Sequence, residues 1–193
     1  MKILKDIAVT LIGAFAILFF LRITGLMNGF SAITNSVVMQ TGLLDAASEP
    51  NEEEVFDYHF LIKDLNENKI AFEKFKGKVV FLNLWATWCG PCKAEMASIQ
   101  ELYNSVAKDS IEFVMISLDK DKFKDKVVRY KTDKNFTFPI YMPSGYLSAQ
   151  LNVPSIPTTF IISKQGKIVL KEVGATNFNT KKFKNFLVDL AKK

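Results

Sequence analysis

The stretch LNLWATWCGPCKAEM, Leu82 to Met96, holds both cysteines of the 193-residue chain, two residues apart, with both tryptophans just upstream. It begins inside KVVFLNLWA, a continuous apolar run of the kind that forms a strand buried on both faces. It continues into GPCKAEMASIQELYNSV, where Cys92, Glu95, Met96, Ile99, Tyr103 and Val106 recur at helical spacing. Cys89 therefore follows a strand and opens a helix, with Pro91 where a first helical turn tolerates proline. A thiolate there faces unpaired backbone N–H groups and the positive end of the helix dipole, so the Cys89 thiol is expected to be exposed and more acidic than a free one. Cys92 lies one turn later and turns inward, where burial disfavours its ionisation. One acidic thiol beside one sheltered thiol is the asymmetry that thiol–disulfide exchange requires.

Other uses of the pair fit less well. A structural zinc site takes four Cys or His ligands, and this chain has two Cys and one His. A purely structural disulfide closing two intervening residues constrains little unfolded-state entropy. The third reading, a binding module with incidental cysteines, would leave partner binding unchanged when both become serine.

Working outward, FDYHFLI and KIAFEKF read as a hairpin around DLNENK, and IEFVMISL as a second buried strand. A charged helix follows with Phe123, Val127 and Tyr130 on one side; the sign-alternating run DKDKFKDKVVRYKTDK that carries it reads as a solvated face. FPIY and a short helix around Tyr146–Leu151 come next. TTFIIS and KIVLKEV flank the turn KQGK, and NTKKFKNFLVDLAKK closes the chain as a helix. This order predicts a mixed α/β sandwich over residues 55–193.

WATWCGPCK resembles the active site of the thioredoxin superfamily. Together with the leading hairpin and VPSIPTTFIISKQGKIV, it resembles the TlpA/ResA-like thiol–disulfide oxidoreductases of bacterial envelopes. That resemblance implies a thioredoxin fold with an N-terminal hairpin extension and a central insertion at about residues 120–150. It also implies a redox-active Cys89–Cys92 disulfide, no bound cofactor and no metal. It makes Pro157 a cis-proline facing the disulfide, and the Ile156 backbone a partner for an extended substrate strand. Trp88, Gly90 and Pro91 join them on the substrate-facing surface, while Trp85 belongs to the core. Glu95 takes the part of proton shuttle for Cys92, because a carboxylate on an apolar helix stripe is expected to be buried with a raised pKa. Asn83 stands where cytoplasmic thioredoxins carry a buried aspartate, and an amide cannot act as a base. The family pattern places a proline two residues after the glutamate, where this chain has Ala97. His59 reads as a structural or surface residue.

The amino-terminal part points to a membrane. Ile7 to Leu21, IAVTLIGAFAILFFL, is fifteen residues without a charge, preceded by Lys2 and Lys5. As a helix it spans about 22 Å, which snorkelling Lys5 and Arg22 extend toward the roughly 30 Å of a bilayer. Cleaved signal and retained anchor compete; the lack of a small-x-small site favours an anchor over residues 1–22, with the remainder exported. Leu26, Phe30, Ile33 and Val37 give residues 23–54 one amphipathic stripe before the acidic linker DAASEPNEEE.

The net charge of +5 lies wholly beyond residue 50, as 22 basic and 17 acidic side chains. That mixed, modest excess with no basic reader motif excludes a nucleic-acid partner. The expected partners are disulfide-containing proteins, a membrane-embedded thiol donor and the membrane itself, around a monomeric soluble domain. Gly90-Pro91 resembles the reducing thioredoxin type, so reduction of protein disulfides in the periplasm is the expected activity. Cytochrome c maturation and rescue of oxidised thiol proteins are two candidate tasks; a disulfide oxidase or isomerase is the alternative. The tryptophan-flanked CxxC does not resemble the peroxidatic loop of a peroxiredoxin.

Overall fold

The computed structural model describes residues 54–193. The expected anchor over 1–22 and most of the segment 23–54 lie outside the described residues. Among the described residues no helix is long and apolar enough to cross a membrane.

Eight strands form one sheet. They are β1 (Glu54–Val55), β2 (Leu61–Asp64), β3 (Lys69–Ala71), β4 (Val79–Trp85), β5 (Ile111–Ser117), β6 (Ile140–Pro143), β7 (Thr158–Ile162) and β8 (Lys167–Val173). Their spatial order is β1-β8-β7-β4-β5-β6-β2-β3. Among the described residues the α-helices are α1 (Gly90–Ser105), α2 (Lys124–Asp133) and α3 (Lys181–Lys192). β4 lies centrally, parallel to β5 and antiparallel to β7, and all seven of its residues are buried.

Alternation along β4 sorts the core, because successive side chains leave opposite faces. Val79, Phe81 and Trp85 enter a cluster with Met96, Ile99 and Leu102 of α1 and Phe183 and Leu187 of α3. Val80, Leu82 and Leu84 enter a second cluster with Phe56, Tyr58, Phe60, Phe72 and Phe75. Helices thus cover one face, and an aromatic wrap from the N-terminal segment covers the other. Phe72 is fully buried, with its ring 4.5 Å from Phe60 and 5.5 Å from Phe56. Burying such a side chain contributes about 1.5–3 kcal/mol.

The leading hairpin forms, but later than the sequence predicts. Pairing begins at Leu61, where the Phe60 carbonyl accepts the Phe72 N–H at 3.0 Å; before it a tight turn, in which the Phe60 N–H donates to the Tyr58 carbonyl, interrupts the extended run, and Phe56, Tyr58 and Phe60 cover the sheet face. FEKF leaves the strand as a 3-10 turn, which puts Phe72 and Phe75 on the same side at i, i+3. The first strand also takes in Glu54, the last residue of the expected linker, paired opposite Ile168.

The insertion expected near 120–150 supplies α2 and β6. β6 runs parallel to β5 and receives β2 on its outer side. The short helix near Tyr146–Leu151 is a single 3-10 turn, Ala149–Leu151. Tyr103 is half-buried, and Leu102 takes the inward place; the Tyr103 ring stands edge-on to Phe113 with the Lys108 ammonium 4.6 Å from its centroid. In the β7–β8 turn, Gly166 holds φ +79°, a conformation open to glycine at no steric cost.

Candidate active site

β4 ends at Trp85, and the chain turns through Ala86–Trp88 into α1. Cys89 caps that helix with φ −84° and ψ 109°, and its Sγ accepts the Cys92 N–H at 3.1 Å. The two cysteines form a disulfide. Cys92 is completely buried. The Cys89 residue, expected to be exposed, is only 5% exposed in this disulfide form. The reason is the loop before β7: the Ile156 carbonyl oxygen lies 3.7 Å from Cys89 Sγ. While sulfur carries no proton this is a contact, not a hydrogen bond. The Ile156–Pro157 peptide is cis and the loop lies against the disulfide, the arrangement that the family resemblance implies.

Trp88 is 68% exposed beside this pair. With Leu118, Leu151, Val153, Pro154 and Ile156 it lines a shallow cleft of about 420 Å³. Gly90 and Pro91 are exposed at the start of α1, and Trp85 is fully buried against Tyr130, ring centroids 5.7 Å apart.

Glu95 lies one turn beyond Cys92 and is completely buried. Asn83 Nδ2 donates to its Oε1 at 2.8 Å, and the Thr176 backbone N–H donates to its Oε2 at 3.2 Å. Burial pushes its pKa up to about 8; the two hydrogen bonds oppose that rise and the charge of Glu172 adds to it. Loss of solvation wins because two neutral donors replace only part of the water a carboxylate loses. Asn83 also donates to Thr159 Oγ1 at 2.9 Å. The residue that cannot itself act as a base therefore orients the one that can. His59 takes no part in this cluster: its ring is exposed and pairs with Asp57.

Three residues at the site escape sequence reading. Thr176 and Glu172 come from the far end of the chain, and Asp119 opens the charged run read as a solvated face. Asp119 is instead buried. Its carboxylate accepts from the Thr87 N–H at 2.8 Å, the Thr87 hydroxyl at 2.6 Å and the Ser117 hydroxyl at 2.7 Å. It ties the turn carrying Trp88 to the end of β5. Asp119→Ala should lower unfolding free energy by about 1–3 kcal/mol, since it leaves buried donors unpaired, and a urea titration followed by tryptophan fluorescence checks this.

Residues 57–171 match the AhpC/TSA family. A thiol-disulfide oxidoreductase ResA of Bacillus cereus is 37% identical over 117 residues, 60% of this chain and just under two thirds (66%) of that protein. ResA of Geobacillus kaustophilus is 30% identical over 141 residues, covering 72% of this chain and 75% of the relative. Among solved structures, StoA from Bacillus subtilis superposes with a TM-score of 0.54 at 27% identity, over 66% of this chain and 94% of that one. A thiol:disulfide interchange protein of the thioredoxin family from Chlorobium tepidum reaches 0.53 at 21% identity over 76% of this chain and 99% of that one, a likeness of fold.

Proposed function

This chain belongs to the AhpC/TSA family and to its ResA-like branch, and from that premise we propose that it reduces protein disulfides by dithiol–disulfide exchange through Cys89 and Cys92. The observation that carries this reading is the Cys89 sulfur at the start of α1, held against the Ile156 main chain. Ile156 belongs to no strand, and no backbone hydrogen bond among the described residues takes up its N–H. An extended substrate segment can therefore pair with it while its side chains enter the cleft beside Trp88.

The steps follow from the geometry. The reduced Cys89 thiolate, favoured by the helix N-terminus, attacks one sulfur of the substrate disulfide, and the other sulfur leaves as a thiolate. Glu95 takes the proton from buried Cys92, which a lone anion at that site would otherwise resist. The Cys92 thiolate attacks Cys89 Sγ, the Cys89–Cys92 disulfide forms, and the substrate departs with both sulfurs reduced. Two electrons pass from the dithiol to the substrate. Trp88, Gly90, Pro91, Ile156 and Pro157 form the docking surface in this scheme.

We place the domain on the outer side of the cytoplasmic membrane, tethered by residues 1–22. The fifteen-residue uncharged run preceded by Lys2 and Lys5 supports that placement. A protein-disulfide reductase in an oxidising compartment needs a supply of electrons, so a membrane-embedded thiol donor completes the cycle. Equilibrium titration of the cysteine pair against a dithiol/disulfide buffer tests the direction. The Gly90-Pro91 pair leads us to expect a potential near the thioredoxin value of about −270 mV; a value near the roughly −120 mV of strong oxidants would make the protein an oxidase.

A further inference from the structure

Residues 144–157 join β6 to β7 and end on the Ile156–Pro157 peptide that faces the disulfide. The connection is long, with one 3-10 turn at Ala149–Leu151, and such segments in a packed domain are usually functional. It crosses the aromatic-covered face of the sheet, with Leu151 buried there and Leu147 and Val153 packed against the same cluster. From Leu151 onward it lines the cleft beside Trp88. Both ends are tied to strands: the Ser144 N–H donates to the Leu61 carbonyl at 3.1 Å, and the Thr158 hydroxyl to the Ser155 carbonyl at 2.7 Å.

The middle of the loop is tied to the N-terminal arm. β1 is two residues long and lies at the edge of the sheet. Just past it, the Phe56 N–H donates inward to the Gly166 carbonyl at 2.8 Å. Val55 and Asp57, one place to either side, turn their backbone groups outward, as alternation along an extended chain requires. The Gln150 side-chain amide meets them there. The Asp57 N–H donates to Gln150 Oε1 at 2.7 Å, while Gln150 Nε2 donates to the Val55 carbonyl at 2.8 Å and to Glu54 Oε1 at 2.6 Å. One amide, on the residue directly before Leu151, thus pairs with the edge as a further strand would.

We propose that Gln150 is a positioning residue for substrate docking: by clamping the loop to Glu54–Asp57 it holds Leu151, Val153 and Ile156 in place beside Cys89 and Trp88. This rests on the reading of that cleft and of the Ile156 main chain as the docking surface.

Two restraints act on the middle of the loop, and they differ in kind. Leu151 anchors it by burial, which is non-directional and leaves it free to slide along an apolar face. The paired hydrogen bonds of an amide fix direction as well as distance. Without the clamp the fold should stand, because Leu151 stays buried, but the Ile156 main chain loses its fixed place. Ordering the loop again at each encounter weakens binding of an extended substrate. Cys89 and Cys92 are carried by α1, so the exchange between sulfurs does not depend on the clamp.

The test is stopped-flow oxidation of the reduced full chain, followed by tryptophan fluorescence, with two disulfides. Insulin offers chain segments that can fill the cleft; bis(2-hydroxyethyl) disulfide is too small to span it. Gln150→Ala should raise the half-saturating insulin concentration about 3–10-fold and keep the limiting rate within about twofold of wild type. Its rate with the small disulfide, and the pH profile of Cys89 alkylation, should not change. Gln150→Glu keeps the acceptor for the Asp57 N–H, removes the donor to Val55 and sets a carboxylate against Glu54. Its half-saturating concentration should rise about 10–30-fold. Adding Glu54→Gln gives that carboxylate a donor and should bring the value back to within about fivefold of wild type. Trp88→Ala tests the docking reading itself and should raise the same value whether or not the clamp matters. If Trp88→Ala raises it and Gln150→Ala does not, Gln150 has no part in docking. If Trp88→Ala leaves it unchanged, the docking reading fails and the inference with it. Equal losses on both disulfides in Gln150→Ala, or no recovery from Glu54→Gln in the Gln150→Glu background, also overturn the proposal.

Discussion

A Cys92→Ala variant is expected to stop turning over and to accumulate covalent complexes with its substrates through Cys89. In the wild-type scheme the mixed disulfide lives only until Cys92 attacks it, and Cys92 is completely buried one turn behind Cys89. Alanine there leaves a small apolar group among Met96 and the other residues of the helix-side core, so the fold should persist. Multiple-turnover reduction of a protein disulfide should fall by at least roughly 10³-fold, the scale seen when a covalent nucleophile is removed. Non-reducing electrophoresis should show mixed disulfides that dithiothreitol dissolves. Cys89→Ser should abolish both turnover and trapping, because no thiol then remains in contact with the Ile156 loop. Complexes formed equally well through Cys92 in the Cys89→Ser variant would reverse the two roles. Substrates recovered from a Cys92→Ala trap would also identify the physiological partners.

Much of this site was legible because its parts are local. Cys89, Pro91, Cys92 and Glu95 lie within seven residues, so helix periodicity alone relates them. The apolar run of β4 announces burial on both faces, and β4 is buried throughout. What was not legible depends on register between distant strands. Nothing in KIVLKEVGAT says that Glu172 stands opposite Thr159, or that Thr176 turns its N–H onto a carboxylate eighty-one residues away. Asp119 illustrates the opposite error. It opens a run of alternating lysine and aspartate, and charge patterning reads the whole run as solvated. Position decides otherwise: Asp119 lies two residues past the end of β5, at the end of the sheet where the Thr87 turn also lies. Later members of the run behave as read, with Asp121 and Lys124 making surface ion pairs to Lys63 and Glu67. The hairpin erred for a related reason. Alternation of Phe56, Tyr58 and Phe60 satisfies a strand pattern, but it equally serves a segment that lies across a sheet and presents its rings to it.

The second large effect belongs to Glu95→Gln, and it separates catalysis from stability. With its pKa near 8, Glu95 is roughly a tenth ionised at pH 7 and mostly ionised at pH 9. In the proposed scheme resolution uses the carboxylate, so the wild-type rate should rise through pH 8, whereas Glu95→Gln should lose that rise and run about 10–100-fold slower at the plateau. Stability moves the other way. The folded state holds the Glu95 proton up to about pH 8, while the unfolded chain releases it near the ordinary value of 4.5. Between those two values the folded state binds more protons, so stability falls as pH rises and levels off above pH 8. The contribution is complete below pH 4.5 and lost once pH has risen through about 8. A shift of this size corresponds to something on the order of 5 kcal/mol, at about 1.36 kcal/mol for each pKa unit. Glutamine keeps an oxygen for Asn83 Nδ2 and never ionises, so its stability should stay flat over the same range, apart from contributions common to both proteins. Urea unfolding of both proteins at pH 5 and pH 9 measures the difference directly. Glu95→Gln should gain on the wild type by roughly 2–4 kcal/mol at the higher pH while resolving mixed disulfides more slowly. In the proposed mechanism this buried carboxylate, which costs stability when ionised, supplies its ionised form to resolution; parallel pH profiles for the two proteins in both measurements would remove that explanation for Glu95.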